Sequence, residues 1–274
     1  MPSITGPKFG TIGMPKNEHP RRYPDMELNK LIGSIETEGV RFAWTRAADC
    51  PCVGNNPQTR QPDPNCPLCH GLSVFYFGPE NYVPPAAVGT LTSLQKAILA
   101  VDGAVVIKGV MAKATQEFDL YDVLGRWYWG AMMVTVRPEN KIGYYDRLVN
   151  LDTEVVYYQT VHYVAPAPTI PLRYRATAVN IVRSDTTIYR EGQHFQNING
   201  ILTWIPTQVP SMNLNLSVHY QMHPTWVVMD HPHAARETGI RRKAPASVGE
   251  GLPTPLPIQG HVRLEFLPVP GGAP

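Results

Sequence analysis

All four cysteines of the chain fall between residues 50 and 69, and no other feature limits the surrounding segment so tightly. The stretch reads Cys50-Pro51-Cys52, a polar spacer over residues 53–65, then Cys66-Pro67-Leu68-Cys69, followed at once by His70 and Gly71. Two thiol pairs on proline-stiffened turns can converge on one tetrahedral ion with little further ordering of the backbone. The Cys66-x-x-Cys69 half has the usual zinc-knuckle spacing, whereas Cys50-x-Cys52 is tighter than usual, and His70 is a possible substitute ligand. Four thiolates fill a zinc ion and leave no position for water or substrate, so such a site holds a fold together and does no chemistry. Two disulfides, or four unligated thiols, are the alternatives. Nothing in the sequence indicates secretion, and disulfides are uncommon in a cytosol, so structural Zn2+ is the expectation.

The rest of the composition points to a β-rich protein. A chain of 274 residues is long enough for one large β domain or two modest ones. Only 17% of residues are charged, below the usual ~25%, while 43% are hydrophobic and 28 are proline. That balance is the opposite of a disordered chain and suits one that covers its surface with other chains. A net charge of +2 supplies no large basic field for nucleic acid. No apolar run approaches the roughly 18 residues of a membrane span, and no signal-type segment opens the chain. The expectation is a soluble protein made in a cytoplasm, with no membrane partner.

Periodicity divides the chain. Residues 1–40 are broken by Pro2, Pro7, Pro15, Pro20 and Pro24, yet carry apolar anchors including Phe9 and Tyr23. They read as an extended arm that orders against a neighbour, with a short helix candidate at 28–35. Residues 41–80 are assigned to the zinc unit, with a strand at 74–77. Residues 81–233 read as a β-rich core. Within it, 91–101 is the best helix, since Leu91, Leu94, Ile98 and Val101 share one face and Thr92 or Ser93 can cap it. Strands are expected at 104–111, 127–136, 155–164, 176–183, 186–190 and 201–205. Strict alternation marks two more. Leu214, Leu216, Val218, Tyr220 and Met222 alternate with polar residues over 213–223, and Val262, Leu264 and Phe266 alternate over 261–267. Residues 234–260 lack a period and carry Arg241, Arg242 and Lys243 before a run of prolines, so they read as a second extended arm. Residues 261–274 are the final core strand and tail. The expected fold is mainly β, a sandwich or barrel-like core with one short helix, a small four-cysteine zinc-binding unit and long extended arms.

Catalytic motifs are missing. His219 and His223 have the spacing of a helical zinc site but lie in a strand, where their rings would stand about 13 Å apart. His231-Pro232-His233 reads as polar surface. Asp119, Asp122, Asp146, Asp152 and Glu154 fall in loops, where solvated acids are the rule. Trp127 and Trp129 share one face of a strand and read as core or interface. The chain is not expected to be an enzyme.

Two stretches resemble a known family. Phe42-Ala43-Trp44-Thr45-Arg46 leading to Cys50-Pro51-Cys52, then Pro62-Asp63-Pro64-Asn65-Cys66-Pro67-Leu68-Cys69-His70-Gly71, resembles a cysteine module in virion proteins of tailed bacteriophages, particularly those of the neck. Ile188-Tyr189 with Glu191-Gly192 and His194-Phe195, then Gly200-Ile201 to Trp204 and Leu216 to Tyr220, is similar to a β unit of phage connector and tail proteins, with His194 where an acid is usual. The resemblance implies a structural protein of the neck, or head-to-tail connector or collar. It would be assembled into the virion in the host cytoplasm as a cyclic homo-oligomer. Portal-side and tail-side proteins would be its neighbours, and DNA would pass through without being read. Phe9, Tyr23, Trp127, Trp129, Arg241, Arg242 and Lys243 would be interface residues. A tail, baseplate or capsid-decoration protein is the alternative, and a zinc-stabilised module binding nucleic acid or sugar is a second.

Overall fold

The computed structural model describes residues 28–52, 61–69, 71–113, 131–230, 237–239, 253–255 and 258–265. Six antiparallel strands among them close a barrel in the order β1 (Val40–Asp49), β3 (Val105–Lys113), β4 (Ala131–Val136), β16 (Ile258–Leu264), β13 (Thr225–Asp230) and β5 (Arg147–Asn150). Closure comes from β1, which pairs with β3 from Val40↔Gly109 to Trp44↔Val105 and with β5 from Phe42↔Asn150 to Thr45↔Arg147. The barrel interior is filled by Phe42, Trp44, Ile107, Val134, Val136, Leu148, Trp226, Val228 and Val262, all buried. A closed barrel leaves no sheet edge along its wall.

A second body is inserted between β5 and β13. The four-stranded sheet β6 (Val155–Tyr163), β12 (Leu214–Met222), β8 (Ala176–Arg183) and β9 (Ile188–Tyr189) faces a three-stranded sheet. That smaller sheet has the order β10 (Phe195–Ile198), β11 (Ile201–Trp204) and β7 (Thr169–Ile170). The sandwich core forms where the alternating residues Leu216, Val218, Tyr220 and Met222 of β12 meet Phe195, Leu202 and Trp204. Trp204 is the hub, edge-on to Tyr163 at 5.7 Å, Tyr189 at 5.0 Å and Phe195 at 6.3 Å. The two crossings between barrel and sandwich run side by side. The Asn150 N–H donates to the Pro224 carbonyl at 3.0 Å, and His223 Nδ1 lies 3.0 Å from the Thr153 carbonyl. A carbonyl only accepts, so Nδ1 carries the proton.

Both helical candidates are helices. α1 (Leu28–Glu38) buries Ile35 against the barrel. α2 (Ser93–Leu99) starts with a capping box in which the Thr92 hydroxyl and the Gln95 side chain satisfy each other's backbone N–H. Gln95 also donates to the Leu151 carbonyl at 2.7 Å, fixing the helix to the barrel's outer face.

Three stretches differ from the sequence reading. Residues 40–49 are one continuous strand that belongs to the barrel wall as far as Thr45 and then to a hairpin, so the cysteines start only at its end. The 81–233 stretch is shared between two bodies. Within residues 234–260, Glu237–Gly239 (β14) pairs with Pro253–Pro255 (β15), and β16 already begins at Ile258. Prolines are tolerated in such a ladder because a two-stranded ribbon leaves their ring side free of a required donor.

Candidate metal centre

The cysteines sit at the tip of a β-hairpin that grows out of the barrel. Beyond Trp44, β1 leaves β3 and pairs instead with β2 (Val74–Phe77), from Arg46↔Phe77 to Asp49↔Val74. The Cys50 N–H closes this ladder on the Ser73 carbonyl at 2.7 Å. Cys50 and Cys52 are thus the direct continuation of a rigid strand, and Cys66 and Cys69 lie on the return path. The return needs two left-handed residues, Gly71 at φ +81° and Ser73 at φ +70°. At Gly71 the backbone also approaches Pro64, whose Cα would stand 3.3 Å from an added Cβ.

The four Sγ atoms lie within 4.8 Å of one another and could hold a metal ion. Cys50 and Cys66 Sγ are 3.6 Å apart, and Cys52 and Cys69 Sγ are 3.5 Å apart. All four are free thiols, since a disulfide needs an S–S distance near ~2.05 Å. A tetrahedron of ~2.3 Å metal–sulfur bonds has edges of about 3.8 Å, so little movement separates these sulfurs from a ligand set. Cys50, Cys66 and Cys69 are buried, and among the described residues the hydrophobic side chains packed against them are Cys52 and Phe75. Burial pushes the Cys50 thiol up to about 12. Burial acts the same way on Cys69, but the Cys52 thiol and the N–H groups of Gly71 and Ser73 outweigh it and bring that thiol down to about 7. Cys69 is therefore the readiest first thiolate, and a cation would supply what the others need to ionise. With four thiolates bound, the ion would keep no open position.

The other expected residues fare differently. His70, Phe9, Tyr23, Trp127, Trp129, Arg241, Arg242, Lys243, His231 and His233 lie outside the described residues, as do Asp119 and Asp122. His219 faces outward on β12 opposite Tyr158, while His223 is buried at the crossing between the bodies, so the pair forms no site. His194 Nδ1 accepts the Arg190 N–H at 3.0 Å, which an acid could equally do.

Asp146 is a correction to the reading of loop acids as solvated. It is buried and accepts from Trp44 Nε1 at 2.8 Å, the Ala47 N–H at 3.0 Å and the Gly143 N–H at 2.6 Å. Burial pushes its carboxyl above the ordinary range, against the pull of those donors and of Arg46. The carboxylate replaces the ladder partner that β1 loses where it leaves β5, and so aims the hairpin. A tryptophan shortly ahead of an Ala-Ala-Asp run carries no hint of this in sequence, because the partners are 99 and 102 positions apart. Asp152 behaves more as expected, exposed and paired with Arg41 at 2.5 Å.

No known protein family matches the chain, and no curated protein sequence does. No helix among the described residues is long and apolar enough to cross a membrane.

Proposed function

We propose that the chain is a non-enzymatic structural protein of a tailed-phage neck, a subunit of a head-to-tail connector ring, with zinc as the ion in its cysteine knuckle. The observation that carries this reading is the outer edge of the sandwich. β6 is nine residues long and pairs on one side only among the described residues. Its outward residues include Tyr158, 78% exposed, and Val156, 55% exposed. A long unpaired edge strand with exposed Val156 and Tyr158 beside it is what a solitary soluble protein avoids and what an oligomer uses. The low charge of the chain supports the same reading, because a passage for DNA must not grip phosphates. Zinc is favoured by the donor set, since four thiolates at tetrahedral separation suit it better than any hard cation. Its role is to hold a knuckle whose core among the described residues is the four cysteines and Phe75.

The test is imaging of the purified full chain at high concentration, alone and mixed with a portal ring. Closed rings of the chain are the expected result. A chain that stays monomeric in both conditions refutes the reading.

A further inference from the structure

The knuckle brings its thiols into crossed contacts. Cys50 Sγ lies 3.6 Å from Cys66 Sγ, 16 positions away, and Cys52 Sγ lies 3.5 Å from Cys69 Sγ, 17 positions away. Each contact therefore ties the end of β1 to the returning chain, as a bound ion would. A disulfide needs about 2.05 Å between sulfurs, so each crossed pair must close by only about 1.5 Å. A bridge between Cys50 and Cys52 would have to form across Pro51 alone, whose ring fixes φ. The four thiols also differ in access. Cys50, Cys66 and Cys69 are buried, and Cys52 is half-buried, so a small oxidant in solution meets Cys52 first and finds Cys69 beside it.

The hairpin needs something at this point. Its ladder ends at Asp49↔Val74 and the Cys50 N–H bond to the Ser73 carbonyl. Past that, the apolar packing among the described residues consists of the four cysteines and Phe75. Reduced thiols without an ion leave the tip held by little else, whereas two crossed bridges would close it covalently.

We propose that the knuckle is a redox-sensitive device with two alternative staples: the ion while the thiols are reduced, and the disulfides Cys50–Cys66 and Cys52–Cys69 once a peroxide has oxidised them. The Cys52 sulfur attacks one peroxide oxygen, the O–O bond breaks, and the other oxygen leaves as water with the thiol proton, giving a sulfenic acid. The Cys69 sulfur attacks that sulfenic sulfur, the S–S bond forms, and the S–O bond breaks to release a second water with the Cys69 proton. Two thiols lose two electrons and one peroxide becomes two waters. A second peroxide closes Cys50–Cys66 in the same way. Starting from the ion-bound state, solvent supplies the protons and the ion is released, because disulfide sulfur is no longer a thiolate ligand. The inference rests on the reading of the four cysteines as one ligand set, and is independent of ring formation.

The experiment compares the full-length chain in three states: zinc-loaded, stripped by chelator under reductant, and zinc-loaded then treated with hydrogen peroxide. Peroxide should release the zinc to a metallochromic dye and lower the intact mass by four hydrogens. Fragmentation of the linked peptides should find Cys50–Cys66 and Cys52–Cys69, and dithiothreitol should restore zinc binding. Amides of residues 61–69 should exchange slowly in the zinc-loaded and oxidised chains and at least about tenfold faster in the stripped, reduced one. Among double variants, Cys50→Ser with Cys66→Ser keeps a crossed pair and Cys50→Ser with Cys69→Ser does not. The first should close its disulfide at least about tenfold faster than the second. A reduced chain that takes up no zinc overturns the metal reading and this device together. With zinc bound, bridges within Cys50–Cys52 or Cys66–Cys69, or fast exchange at residues 61–69 in the oxidised chain, overturn this proposal alone. Equal closure rates in the two double variants overturn it as well.

Discussion

Replacing Asp146 separates the barrel's internal hydrogen bonding from the hairpin's own stability. In Asp146→Ala three N–H donors lose their acceptor: Trp44 Nε1, Ala47 and Gly143. Trp44 is fully buried, so water cannot replace the carboxylate there. At about 1–2 kcal/mol for each of the three orphaned donors, the loss is about 3–6 kcal/mol. Asp146→Asn is milder. Its carbonyl can take the place of Oδ2 and serve both Trp44 and Gly143, leaving only the amide group facing the Ala47 N–H. Removing a buried charge recovers part of that clash, so the expected cost is about 1–2 kcal/mol. Urea denaturation followed by tryptophan fluorescence measures both. The thermal midpoint should fall by about 2–4 °C per kcal/mol for a chain of this size. Both variants within about 0.5 kcal/mol of the parent would refute the assignment of Asp146 as an obligatory internal acceptor.

Four further outcomes follow from the same geometry. Protein purified without chelator should carry about one zinc per chain by elemental analysis. Cys66→Ser with Cys69→Ser should abolish that binding and expose amides of residues 61–73 to rapid exchange while the barrel strands stay protected. Gly71→Ala forces a β-carbon into a left-handed residue beside Pro64, costing about 1–2 kcal/mol and weakening metal retention in a chelator competition. Burial alone would raise the Asp152 carboxyl, but hydrogen bonds from the Arg41 side chain and N–H and the charge of Arg41 bring it below the usual range. A depressed carboxyl stabilises the fold above its unfolded value near ~3.9 and loses that contribution as pH falls through the lower folded value. Asp152→Asn should therefore cost up to about 1 kcal/mol at pH 7, a partly exposed pair being screened, and almost nothing near pH 2. Equal loss at both pH values would contradict it.

How much of this was legible without coordinates depended on what covers each strand. β12 has one face in the sandwich core and the other turned away from it, so alternation of period two is written into its residues. The capped helix at 93–99 was legible for the same local reason, since Thr92 and Gln95 are neighbours on the chain. β1 is different. Phe42 and Trp44 fill the barrel while Ala43 and Thr45 are covered from outside, leaving no wet face and no alternation to read. β5 is a short strand beside it and β13 pairs with β5 in turn, and the residues that pair those two, such as Thr225 and Val149, lie far apart in sequence.

The metal centre shows the same division at the level of a site. Residue type and spacing alone named Cys50, Cys52, Cys66 and Cys69 as one group, because thiols paired on tight turns are a local property of the chain. Tertiary structure decided that a barrel strand delivers them and that a buried carboxylate aims that strand. Each of those depends on partners brought together only when the barrel closes around an inserted sandwich, and no local pattern encodes a contact made across so long a stretch of chain.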